Sequence, residues 1–167
     1  MISIGLISDT HGFLDEKVFE HFKDCDEIWH AGDFGNVILA DRLKNFKPLK
    51  AVYGNIDGYD IRNEYPEKLI WKCEEVNVLM IHIGGHPARY APGVKSELIK
   101  NGTNLFICGH SHILKIIYDG KINCLHMNPG AAGNQGWHTV RTIIRFSIDG
   151  KEIKNCEVIE LGKRGAQ

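Results

Sequence analysis

Three apolar runs near the N-terminus each stop at a glycine beside a side chain able to ionise or ligate, and few folds accommodate that repetition. Residues 2–7 run into Ser8-Asp9-Thr10-His11-Gly12, residues 27–31 into Gly32-Asp33, and residues 49–53 into Gly54-Asn55-Ile56-Asp57-Gly58. The first run is almost continuously apolar, as expected of a strand covered on both faces. Between the runs, Val18, Phe19 and Phe22 within residues 15–22 recur at helical spacing. So do Val37, Leu39, Ala40 and Leu43, behind an Asn36 suited to capping a helix. The pattern predicts βαβαβ with parallel strands, and open α/β sheets take their ligands at the carboxyl ends of such strands.

The middle of the chain changes character. Residues 69–73 and 76–81 read as paired strands around Glu74-Glu75, the second delivering His82. The stretch 83–93 is rich in glycine and proline and is expected to form a functional loop or lid carrying His86 and Arg89. A short helix over 94–101 precedes a strand at 105–107, which ends in Cys108-Gly109-His110-Ser111-His112. Side chains at i and i+2 point the same way only in extended backbone. In a turn, the two imidazoles diverge toward two centres. Asp119-Gly120 and Asp149-Gly150 then mark two hairpins, pairing 113–118 with 122–127 and 139–148 with 153–161. The glycine-rich stretch 128–136 lies between them and lacks the Lys-Ser/Thr end of a phosphate-binding P-loop. No repeat, linker or composition break appears, so residues 1–167 are expected to form a single domain, with a frayed tail from 162.

Composition narrows the partners. Twenty basic and 21 acidic residues give a net charge of -1, which argues against nucleic acid or an anionic membrane as a general partner. No apolar run reaches membrane length, and the N-terminus lacks a basic leader. Five scattered cysteines without a C-x-x-C pair suggest free thiols and a cytoplasmic protein.

The strand ends together supply Asp9, His11, Asp33, Asn55, His82, His110 and His112. All offer neutral or anionic nitrogen and oxygen, which suits borderline divalent ions. Seven donors exceed what one ion needs and imply two sharing a bridge. Asp33, a carboxylate central in the order, is the natural bridge.

Asp9-Thr10-His11, Gly32-Asp33, Gly54-Asn55, His82 and Gly109-His110-Ser111-His112 resemble, in order, the motif set of the calcineurin-like metallophosphoesterases. The short chain, with Asn128-Pro129-Gly130, is similar to the single-domain YfcE-type phosphodiesterases of that superfamily. The resemblance implies an α/β fold, a four-layer α/β/β/α sandwich of two mixed sheets with the dimetal site at the strand C-terminal ends. It implies that Asp9, His11 and His112 hold one divalent metal, that Asn55, His82 and His110 hold the other, and that Asp33 bridges them. Manganese is expected first, with nickel, zinc or iron as alternatives. The implied reaction is hydrolysis of a small phosphodiester by in-line attack of a hydroxide bridging the metals, with Asp33, Asn55 and His82 as the catalytic set. Asn55, His86 and Arg89 are the candidate substrate contacts.

One departure stands out. The family commonly carries histidine after the Gly-Asn pair to protonate the leaving group, whereas this chain has Ile56. General acids contribute about 10²–10⁴ in rate, so poor leaving groups should be cleaved badly unless His86 or His138 substitutes. Tyr90 and Arg141 are further candidates to meet phosphate or a base. Trp29, Trp71 and Trp137 are expected to fill core or surface grooves rather than stack on substrate. The competing functions are a protein-interaction scaffold of the same fold, or a nuclease or phosphomonoesterase. Homo-oligomerisation stays open.

Overall fold

The computed structural model describes residues 1–165. The opening units form as their patterns predict: β1 (Ile2–Ile7), α1 (Lys17–His21), β2 (Glu27–His30), α2 (Val37–Phe46) and β3 (Leu49–Ala51). The Asn36 side chain does cap α2, accepting from the Leu39 N–H at 2.8 Å. Next come α3 (Tyr59–Glu64), β4 (Lys68–Cys73), β5 (Val76–Ile81), β6 (Gly85–His86), β7 (Arg89–Tyr90) and α4 (Val94–Lys100). The chain continues through β8 (Leu105–Ile107), β9 (Leu114–Asp119), β10 (Cys124–Pro129), β11 (Val140–Asp149) and β12 (Glu152–Lys163). The fraying expected from residue 162 is delayed, because β12 runs to Lys163; residues 166 and 167 lie outside the described residues.

Two five-stranded sheets result, in the orders β12-β11-β1-β2-β3 and β4-β5-β8-β10-β9. Both are mixed: β1, β2 and β3 run parallel, as do β5, β8 and β10, while hairpin strands close the edges antiparallel. Side-chain alternation explains the layering. Ile4, Leu6, Trp29 and Phe146 face inward and meet Val78, Met80, Leu105, Ile107 and Met127 of the second sheet. Ile7, Ile28 and Ile143 point the other way, under Val18, Phe22, Leu39, Leu43 and Ile61 of the helices. On the far side, Leu79 and Phe106 lie beneath Val94 and Leu98 of α4. The order helix, sheet, sheet, helix is the four-layer α/β sandwich. The loops at the strand C-termini join these clusters through residues such as Phe34 and Ala132 and carry their polar side chains at the end of the sandwich.

Two expectations for the periphery need revision. The stretch 83–93 contains the two-stranded hairpin of β6 and β7 rather than an unstructured loop. Arg141 is no surface phosphate contact. Its guanidinium is fully buried, donates to Asp15 Oδ2 at 2.8 Å, and ties the start of α1 to β11 and β12.

Burial opposes ionisation of Asp15, but the Lys17 N–H and the Arg141 charge more than offset it and hold the carboxyl below its ordinary value. A depressed folded-state pKa contributes stability above the ordinary carboxylate range and loses it as pH falls through the depressed value. Removing one charge of a buried pair costs up to about 3–5 kcal/mol, and here less, because Arg141 keeps its bonds to Leu161 O and Lys163 O. Asp15→Asn should therefore lower the urea midpoint at neutral pH and flatten its decline in acid. A parallel acid profile for wild type and variant would refute the pair's role.

Candidate metal centre

The loops after β1, β2, β5 and β8 meet at one end of the sandwich and are laced by backbone hydrogen bonds. Asp9 N–H donates to Gly32 O and His11 N–H to Asp33 O, both at 3.0 Å, and Gly109 N–H donates to His82 O at 3.0 Å. This lacing gathers the predicted donors into two groups, Asp9 with His11 and His112, and Asp33 with His82 and His110. Within each group the ligand atoms lie within 4.8 Å of one another. Asp33 reaches both, its Oδ2 lying 3.4 Å from His11 Nε2 and 3.1 Å from His82 Nε2. Asn55 joins the second group through its Oδ1, 3.0 Å from His110 Nδ1.

A test of fit comes from the polar atoms. Asp9 Oδ1, His11 Nε2 and His82 Nε2 are buried and have no hydrogen-bond partner, although they face one another at 3.7–3.8 Å. Buried polar atoms seldom go unsatisfied without a reason. Lone pairs converging in this way fit a cation. The hydrogen bonds made by the other ring atoms agree. His82 Nδ1–H donates to Ala31 O at 2.7 Å and His110 Nδ1–H to Asn55 Oδ1. Each fixes the tautomer that leaves Nε2 free as a donor atom. Asp9 is steered likewise: Ser8 Oγ–H at 2.7 Å and His110 N–H at 3.1 Å both bind Oδ2, so Oδ1 is left for the centre. Gly109 permits this approach, because a Cβ there would sit 2.2 Å from Ser8 Oγ and 2.7 Å from Asp9 Oδ2.

The electrostatics follow from the crowding. Burial opposes ionisation of Asp9, but the adjacent His11, His112 and His82 rings and the Ser8 hydroxyl hold its carboxyl well below the usual range. Asp33 is lowered in the same way, with burial outweighed by His82 and the Ile56 N–H. The nearby Asp9 carboxylate raises His11, and Asp33 and Asp9 raise His82 against the effect of burial. These carboxylates are anions ready for a divalent charge.

Three further features support the ligands: Asp57 and His30, both open to a supporting role from the sequence, and the backbone itself. Asp57, which follows the site's asparagine by two positions, accepts four backbone N–H groups: Asp33, Phe34 and Gly54 on Oδ2, and Gly35 on Oδ1. It is the template on which the Asp33 loop is folded. His30 is fully buried and neutral, its pKa pushed down to about 3 by burial. Its Nδ1 accepts from Gly32 N–H at 3.1 Å, so Nε2 carries the proton toward Thr10 Oγ1 at 3.1 Å. The third feature is backbone strain. Asp9, His11, Asp33, His110 and His112 all have left-handed backbone, with φ of 53°, 45°, 61°, 70° and 61°. Such residues cost about 1–2 kcal/mol each and gather at functional sites.

The remaining candidates lie elsewhere. Arg89 lines an open groove of about 1100 Å³ with Tyr118, Asp119 and Lys121, at the far end of β9 from His112. At about 3.3 Å per residue, β9 alone separates that end from the ligands by roughly 16 Å. His86 belongs to the same hairpin, with its Nδ1 on Pro87 O, and Tyr90 hydrogen-bonds Asp119. The structure thus brings neither His86 nor Arg89 among the ligand groups. His138 is beside them: its ring centroid is 5.3 Å from that of His112, and its Nε2–H donates to Gly133 O at 2.8 Å.

Residues 2–151 match the calcineurin-like phosphoesterase superfamily domain. A probable metallophosphoesterase of Methanothermobacter thermautotrophicus is 29% identical over 167 residues, spanning 95% of this chain and 92% of that protein. A solved archaeal phosphodiesterase superposes with a TM-score of 0.74 at 27% identity, over 96% of this chain and all of that one. Zinc-bound Vps29 from Entamoeba histolytica superposes with a TM-score of 0.73 at 16% identity, over 95% and 99% of the two chains, and shares the fold. With this match over most of its length, a four-layer fold and divalent-metal donors gathered at its strand ends, the chain belongs to the calcineurin-like phosphoesterase superfamily.

Proposed function

We propose that residues 1–167 act as one domain that hydrolyses phosphodiesters at a two-metal centre. Asp9, His11 and His112 hold one ion, Asn55, His82 and His110 the other, and Asp33 is shared. The observation that carries this reading is the position of Asp33 Oδ2 between the two groups, with unpartnered donor atoms of His11 and His82 facing it. Two divalent cations held by these residues would acidify a water and stabilise the charge that develops in an in-line displacement at phosphorus. Manganese suits the nitrogen-and-oxygen donor set, as do nickel, zinc and iron.

The chain's own residues do the rest. Asn55 is exposed, and its amide N–H can donate to a phosphate oxygen while its carbonyl faces the centre. Asp33 is held by the Ile56 N–H on Oδ1 at 3.0 Å, which aims Oδ2 inward. His82 is fixed by Ala31 and orders the second group.

Preference for diesters over monoesters rests on Ile56. Its side chain, 47% exposed, provides no proton where the leaving group would depart. Ile56→His should raise hydrolysis of p-nitrophenyl phosphate relative to bis-p-nitrophenyl phosphate by about tenfold, below a general acid's full contribution because p-nitrophenolate is already a good leaving group. An unchanged ratio would mean that this position does not govern the leaving group.

The direct test is hydrolysis of both esters by metal-stripped protein, with Mn, Ni, Zn and Mg restored singly. Metal-dependent diesterase activity exceeding monoesterase activity supports the proposal. A folded, metal-loaded protein inactive on both esters would favour the protein-binding role of the same fold, the alternative kept open by the likeness to Vps29.

A further inference from the structure

The three tryptophans divide in a way their sequence contexts do not foretell. Trp29 is fully buried and Trp71 half-buried, the two packed edge to face at 4.8 Å between their ring centroids. Trp137 is 98% exposed. Its loop, between β10 and β11, is wrapped onto the ligands. Gly133 N–H donates to Asp9 O at 3.0 Å, and a Cβ on Gly136 would sit 2.2 Å from His112 Nδ1. His138 packs on the same His112 ring. Both neighbours of Trp137 therefore touch a donor of the metal centre.

The loop is also pinned. His138 Nε2–H donates to Gly133 O, Arg164 Nε–H donates to His138 O, and Gly165 N–H donates to Asn134 Oδ1, all at 2.8 Å. A large ring with no packing partner among the described residues, carried on a backbone held this firmly, is presented to solvent beside the centre.

The rest of the mouth is apolar as well. The residues directly after Asn55, His82 and His112 are Ile56, Ile83 and Ile113, exposed by 47%, 46% and 57%. Such a rim is suited to an uncharged substituent of a diester. The neighbours of Trp137 on its own loop, Asn134, Gln135 and Gly136, are not apolar, so a single flat ring fits there better than the face of a protein.

We infer that Trp137 is the stacking surface for a flat aromatic group on the phosphodiester, a nucleobase in the first place, and sets the substrate class of the centre. The inference rests on the phosphodiesterase reading. It identifies the substrate as a small nucleoside phosphodiester, with the phosphate over the two ligand groups and the base against the indole.

The test compares thymidine 5′-(p-nitrophenyl phosphate) with methyl p-nitrophenyl phosphate. The two diesters share a leaving group and differ in the retained alcohol, a nucleoside in one and methanol in the other, so the Trp137 variants separate the base from the sugar. Manganese-loaded wild type should prefer the thymidine ester through KM by about 5- to 150-fold, the range of one base–aromatic stack. Trp137→Ala should abolish the preference and Trp137→Phe should retain most of it. A second readout is independent of turnover. Iodide-accessible indole emission should be quenched saturably by thymidine 5′-monophosphate, not by deoxyribose 5-phosphate, and not in Trp137→Ala. Hydrolysis of both diesters without preference or quenching would overturn the inference and leave the phosphodiesterase reading standing. Saturable quenching by a protein that hydrolyses neither diester would do the reverse. Absence of both would sink both.

Discussion

Asp57→Ala should lower the free energy of unfolding by about 3 kcal/mol or more, since hydrogen bonds to a charged group contribute about 1.5–3 kcal/mol each. Four backbone N–H groups converge on this carboxylate, which is 3% exposed. Alanine leaves those donors with no acceptor and little access to water, so the loop bearing Asp33 must rearrange. Four bonds to one group do not add independently, which is why the figure is set well below their sum. Asp57→Asn keeps one acceptor oxygen and should fall between. Urea unfolding measures the stability. Calorimetric titration with Mn²⁺ measures the centre, where loss of a supporting group costs about 10–100-fold in affinity. A variant as stable as wild type, with unchanged metal affinity, would show that the loop holds itself without this carboxylate.

Asp33→Ala should divide the two properties the other way. The main-chain groups of Asp33 do the lacing, its N–H to Asp57 and its C=O from His11, and both survive the substitution. Among the described residues, the Ile56 N–H alone loses a hydrogen-bond partner on the Asp33 side chain. The fold should therefore persist with a small shift in urea midpoint. Activity on bis-p-nitrophenyl phosphate should fall more than about 100-fold, beyond the loss expected for a mere supporting group, because one carboxylate serves both ions. Bound metal, counted by atomic emission, should fall at both positions rather than one. Loss of a single ion would disprove the shared role.

How far the sequence reached depended on whether the controlling interaction is local. The βαβαβ start follows from apolar runs and helical spacing within a few residues, and α2 begins at Asn36 as its cap dictates. The Asp149-Gly150 hairpin forms as expected, but nothing local indicates that β11 pairs with β1 and completes the first sheet. The donors were legible because each ends a strand. Their supports were legible only in outline, because the contact is remote: Asp57 could be expected to hold the loop, but not that it acts on residues some 22–24 positions earlier, nor that His110 N–H meets Asp9 across 101. Arg141 was misjudged for the same reason, since its partner Asp15 lies 126 positions away. Trp137 escaped by a different route. Tryptophan is usually well buried, and only three-dimensional placement shows one that is not.

The left-handed backbone at Asp9, His11, Asp33, His110 and His112 bears on how such chains diverge. A binding-only descendant of this fold would have no use for the donors, yet it would still inherit the turns that present them. Selection on stability alone would then favour glycine or asparagine at those five places, which accept the same dihedrals at lower cost. The replacements would be concentrated at those turns rather than spread over the surface. A lineage that uses the centre would instead keep aspartate and histidine at all five, as this chain has them.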